Sequence, residues 1–101
     1  MTDNRRATRH EVSIPAKLTV DGSTVDSTLL NLSLGGALIS SSTKYTMGQH
    51  VDIAFRVPTI DQAIEVGATV RWADTKGLGL QFDGLRARDV WALNEYFKQL
   101  Q

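Results

Sequence analysis

The sequence predicts a mainly β fold: a six-stranded antiparallel β-barrel closed by one C-terminal α-helix. Three observations predict it. Apolar and polar residues alternate with period two along most of the chain, turn residues interrupt that alternation about every 8–12 residues, and the last segment changes to a helical period. Short antiparallel strands of this kind remove their exposed edges by closing into a barrel, and a single amphipathic helix then covers an open end or side.

The elements follow in order. Residues 1–11 are polar and without periodicity, so they read as a mobile arm, and residues 12–101 as the barrel with its helix. Val12, Ile14, Ala16, Leu18 and Val20 alternate with polar residues and end at the hairpin signal Asp21-Gly22. Val25 to Leu30 is β-prone and runs into the turn Asn31-Leu32-Ser33-Leu34-Gly35-Gly36, after which Ala37 to Ser40 forms another strand. Val51, Ile53, Phe55 and Val57 alternate up to Pro58. Ile64, Val66, Ala68, Val70 and Trp72 continue the pattern, and Leu78, Leu80 and Phe82 return it across a tight loop. Val90, Leu93, Phe97 and Leu100 then fall on one stripe of a helix over about 86–100.

Composition narrows the function. With 101 residues, 42% hydrophobic and 22% charged, the chain has the make-up of one globular domain. Eleven basic residues balance eleven acidic ones, so no overall field draws it to DNA, RNA or an anionic membrane. No apolar run approaches the roughly 20 residues of a membrane span, and the polar start has no hydrophobic signal region, which predicts a cytoplasmic protein without membrane insertion. Cysteine is absent and His10 and His50 stand far apart, so no metal site or thiol chemistry is expected. No nucleophile-elbow context or paired-acid cleft is found, and the chain does not read as an enzyme.

Two segments stand out: the arm Arg5-Arg6-Ala7-Thr8-Arg9 and the turn from Asn31 to Gly36. Alone, the first is usually a solvated tail and the second a plain strand connection. In this order, RxxxR (Arg5, Arg9) followed by (D/N)xSxxG (Asn31, Ser33, Gly36), they resemble the PilZ domain family. Val70-Arg71-Trp72, the stretch Gly77 to Phe82 and the closing helix extend the resemblance over essentially the whole chain.

The resemblance implies a receptor for the bacterial second messenger cyclic di-GMP, a ligand rather than a cofactor, with motility or exopolysaccharide production as the regulated output. Carried over by position, Arg5 and Arg9 would contact the ligand, with Arg6 beside them. The chemistry suits them: a guanidinium fork bonds guanine O6 and N7 bidentately or makes short charge-assisted bonds to phosphate. Asn31 could accept from the guanine N1–H and N2–H₂ edge, Ser33 could bond the ligand or close a local turn, and Gly35 and Gly36 would allow close backbone approach or a positive φ. Arg71 and Trp72 are candidate additional contacts. Trp72 is expected first in the core, by its alternation, and second as a stacking platform, while Arg71 is expected to be solvated. Trp91, off the helical stripe, flanks the core or faces a partner.

The leading expectation is thus an adaptor, monomer or weak homodimer, that changes conformation on binding cyclic di-GMP and signals in trans to a protein partner not yet identified. The alternative is a ligand-independent PilZ-like protein–protein interaction module. A barrel for single-stranded nucleic acid is disfavoured by the neutral charge and the few aromatics.

Overall fold

The computed structural model describes residues 9–40, 45–74 and 77–100. Arg5 and Arg6 therefore lie outside the described residues. The elements are β1 (His10–Val20), β2 (Ser23–Leu32), β3 (Gly36–Ser40), β4 (His50–Phe55), β5 (Ile64–Asp74), β6 (Gly77–Phe82) and α1 (Ala87–Gln99). The strands form a closed barrel in the order β1-β2-β3-β6-β5-β4, every neighbouring pair antiparallel and β4 returning to β1.

Period-two alternation accounts for the interior. Leu18, Leu29, Ile39, Val51, Ile53, Ile64 and Val70 are among the fully buried side chains, each facing inward from its strand. The β1–β2 hairpin turns through Asp21 (φ 51°) and Gly22 (φ 81°), the successive positive φ values that match the twist of the flanking strands.

Alternation is broken at three places. One extra residue sits in β1 between Glu11 and Ile14, one in β2 between Leu29 and Asn31, and one in β5 between Val70 and Trp72. Each is a β-bulge, which shifts the side-chain phase beyond it by one. Pairing also begins earlier than expected: His10 stands opposite Leu32 and Glu11 opposite Asn31, so β1 starts two residues before Val12. At the other end of the turn segment, Asn31 and Leu32 belong to strand β2 rather than to the connection.

The helix spans one residue less at each end than expected, with Arg86 as N-cap and Leu100 as C-cap. Its buried face is Asp89, Ala92, Leu93 and Phe97. Leu100 is 41% exposed, contrary to its place on the expected stripe, because the helix ends there and the face turned inward drifts toward Asp89 and Ala92. The helix is tied to the barrel by Thr59 Oγ1 donating to Ala92 O at 2.7 Å and by the His10 ring stacked on Phe97, centroids 4.2 Å apart.

Asp89 is 1% exposed, which is unusual for a carboxylate. Its Oδ2 accepts from the Arg86 backbone N–H and from Arg86 Nε, both at 3.3 Å, and Arg88 Nε lies 3.5 Å from Oδ1. A carboxylate at this position also suits the positive end of the helix. Asp89→Ala should lower the stability of the domain by about 1–2 kcal/mol, seen as a lower urea midpoint with unchanged slope. An unchanged midpoint would show that the helix start does not depend on this carboxylate.

Candidate functional site

The connection from β2 to β3 is built around one hydroxyl. Ser33 Oγ accepts from the Gly35 and Gly36 N–H groups at 3.1 and 3.2 Å and donates to Gly36 O at 3.3 Å, while the Ser33 N–H donates to the same carbonyl at 2.9 Å. Ser33 is buried, so of the two roles open to it the structure shows the turn-closing one. The turn is then fixed to β6 by the Phe82 N–H donating to Gly35 O at 2.9 Å.

Gly36 is required by space, not by φ, which is not positive there. A Cβ at this position would lie 2.0 Å from Leu80 O of the neighbouring strand. Any side chain would push β3 off β6.

The bulge in β5 decides the opposite wall. Ile64, Val66, Ala68 and Val70 all face the core, and continued alternation would send Trp72 inward as well. The extra residue at Arg71 reverses the phase, so Trp72 faces outward, 37% exposed, directly opposite Gly79 of β6. This corrects the expectation that Trp72 is core. The indole lies over Gly79: a Cβ there would be 2.1 Å from Trp72 Nε1.

Turn and indole bound one cleft of 340 Å3, whose lining includes Arg9, Ser33, Gly35, Gly36, Arg71 and Trp72. Six residues chosen from sequence thus come together. The charged groups on the described lining are Arg9 and Arg71, with no carboxylate, so the cleft is locally cationic on a chain of zero net charge. Asn31 is not on this lining; it sits in β2 between Glu11 and Leu38, and its buried Oδ1 has no hydrogen-bond partner among the described residues. Sequence reasoning missed Gly79, Leu80, Gln81 and Ala37, which complete the wall. The signal for Gly79 was a glycine at an outward strand position, where a large side chain on the partner strand can lie across the backbone.

This arrangement joins an RxxxR arginine to the Ser33–Gly36 turn. Comparison with family models gives a match to the PilZ domain over residues 3–99. The chain belongs to the PilZ domain family. No curated relative matches it.

Solved PilZ structures share the fold at low identity. The PilZ domain of Escherichia coli YcgR, solved with c-di-GMP, has a TM-score of 0.67 at 17% identity, covering 96% of this chain and 94% of that one. Bacillus subtilis MotI/DgrA, described as an inhibitor of motility, has a TM-score of 0.76 at 16% identity, over 99% of this chain and 55% of that one. Borreliella burgdorferi PlzA, in complex with c-di-GMP, has a TM-score of 0.67 at 20% identity, over 96% of this chain and 38% of that one. The PilZ domain described here therefore spans about half or less of the MotI and PlzA chains.

Gly79→Ala should leave the PilZ barrel folded but displace the indole. The Trp72 Nε1–H resonance reports this directly; an unmoved resonance would show that the ring does not rest on Gly79.

Proposed function

We propose that this PilZ domain is a receptor for cyclic di-GMP that passes its ligand state to a protein partner in trans. The observation that carries the reading is the meeting of Arg9, Arg71 and Trp72 with the Ser33–Gly36 turn in one cleft free of acidic side chains on its described lining. The ligand offers two phosphodiester anions and two guanines. Guanidinium groups satisfy both, by charge-assisted bonds to phosphate or by a bidentate pair to O6 and N7 worth about 1–3 kcal/mol of discrimination. An indole held flat supplies a face on which a base can stack, worth about 1–3 kcal/mol.

Asn31 lies off this lining with its Oδ1 buried and unpartnered among the described residues, so it joins the proposed contacts only if ligand opens the strand edge beside Glu11 and brings the guanine N1–H and N2–H₂ donors to it, an acceptor without a donor costing about 1–3 kcal/mol. Arg5 and Arg6 complete the proposal, the arm closing over ligand seated on the turn. Fixing about six arm residues costs about 1–2 kcal/mol each in backbone entropy, so each arginine contact must be strong for binding to survive.

The proposed protein is a receptor and not a catalyst. The Ser33 hydroxyl is engaged within its own turn, and no histidine or carboxylate lies on the described lining to activate a nucleophile. No described helix is long and apolar enough to cross a membrane, and the reading assigns the domain to the cytoplasm. Signal transfer is proposed to run from Arg9 through its neighbour His10, whose ring stacks on Phe97 of α1. The same helix carries Trp91, 56% exposed, an aromatic of the kind that anchors protein interfaces. Control of motility is the output we favour, since MotI, with the same fold, is a motility inhibitor.

Titration calorimetry tests this reading. Wild-type protein should bind cyclic di-GMP, and ligand at about 100 times its Kd should stabilise the fold by about 2.7 kcal/mol. Arg9→Ala should abolish micromolar binding without unfolding the barrel, and wild-type affinity in that variant would contradict the site. No binding by the wild type would leave the ligand-independent interaction module, for which the exposed Trp91 is the supporting feature.

Asn31→Asp should bind more tightly than wild type, because a carboxylate accepts from both guanine donors while the Asn amide N–H groups find no acceptor on that edge. Equal or weaker binding by the substituted protein would remove Asn31 from the ligand contacts.

A further inference from the structure

Arg71 borders two clefts, not one. On its far side from Trp72 lies a second depression of 290 Å3, lined by Met47, Gly48, Val70 and Arg71 itself. We propose that this second depression is a subsite for the other purine, so that one cyclic dinucleotide straddles Arg71 with one base on Trp72 and the other against Met47. The inference rests on the receptor reading above and extends it to residues outside both family motifs.

Three observations carry it. First, the two clefts, 340 and 290 Å3, share the Arg71 side of their walls. The first lies at the lower end of the range for a site holding one small molecule, about 300–1,000 Å3, and the second just below it. A molecule with two purines, two riboses and two phosphates needs both.

Second, Met47 is 68% exposed and Trp72 37%, and these large apolar side chains stand one in each cleft with the bulge residue Arg71 between them. Solvent-facing apolar groups on both sides of a cation match a ligand whose flat bases flank charged phosphates. The methionine thioether is polarisable and packs well against aromatic rings.

Third, the backbone that carries Met47 is held in place. The Gly48 N–H donates to Val70 O at 2.6 Å and the Val70 N–H to Gln49 O at 2.9 Å, which fasten the turn to β5 beside the bulge. The Gln49 N–H donates to Thr46 O at 3.0 Å and the Thr46 N–H to Gln49 Oε1 at 3.1 Å, which close the turn around Met47. A fixed turn removes the backbone share of the entropic cost of placing Met47 against a ligand and leaves only that of its side-chain rotamers.

The test uses protein carrying ¹³C-methyl methionine, which contains two such residues, Met1 and Met47. Saturation with cyclic di-GMP should shift the Met47 methyl upfield by the ring current of the second base, whereas 5′-GMP, with one base, should move the Trp72 indole and leave that methyl in place. Met47→Ala assigns the resonance and should weaken cyclic di-GMP binding by about two- to tenfold, the range of a lost sulfur–aromatic contact. If cyclic di-GMP moves the Trp72 indole but not the Met47 methyl, the subsite is wrong and the receptor reading stands. If cyclic di-GMP moves neither and calorimetry shows no heat, both fall together.

Discussion

One extra residue in strand β5 governs the site. Up to Val70 the strand sends every second side chain into the barrel, and the inserted Arg71 reverses that phase. Because strand side chains have period two, a single insertion exchanges inside for outside over everything that follows. Trp72 is thereby delivered to the surface, where β6 offers a glycine directly opposite. Without the insertion the indole would have to enter a core already filled by Val70, Leu80 and Phe82, where even a few extra methylenes cost about 1–3 kcal/mol.

The other two irregularities serve the same region. The extra residue in β2 puts Leu29 and Leu32 both inward at a spacing of three, so β2 reaches the Ser33 turn with its last apolar side chain buried and its hydroxyl under the Gly35 and Gly36 amides. The extra residue in β1 follows His10 and Glu11, which lets the start of that strand pair with the end of β2 beside Arg9. Bulges bend strands and re-aim side chains, and the one in β5 carries two residues that line the cleft, Arg71 and Trp72. Regular alternation builds the barrel, and the departures from it build the site.

This division explains what was legible in the sequence. Strand number, the hairpin at Asp21-Gly22, the inward residues of regular strands and the terminal helix all follow from local periodicity, and each is present. Ser33 and Gly36 were legible as residue types at fixed spacing, though the need for glycine at position 36 comes from Leu80 O on a strand far along the chain. Trp72 was misread because a bulge is a property of two paired strands, and the run Val66, Ala68, Val70, Trp72 looks unbroken in one strand. Gly79 was overlooked for the same reason, its meaning residing in Trp72. Leu100 continued a stripe that the helix no longer sustained, and Arg5 and Arg6 lie outside the described residues.

The neutral charge of the chain sharpens the roles of its two cleft cations. With no net field to gather anions from a distance, recognition depends on groups within contact range, where geometry counts more than charge number. Arg71 and Arg9 differ in this respect. Arg71 is set in a strand whose preceding residue, Val70, is hydrogen-bonded to the Gly48–Gln49 turn, so its backbone is already in place before any ligand arrives. Arg9 stands just before β1, and the next residue, His10, leans on Phe97 of the helix. A ligand that engages both would use Arg71 as the fixed point and draw on Arg9 as the adjustable one. Under the proposed function, any repositioning of Arg9 would bear on the His10–Phe97 stack, which would make α1 the element placed to feel whether the cleft is filled.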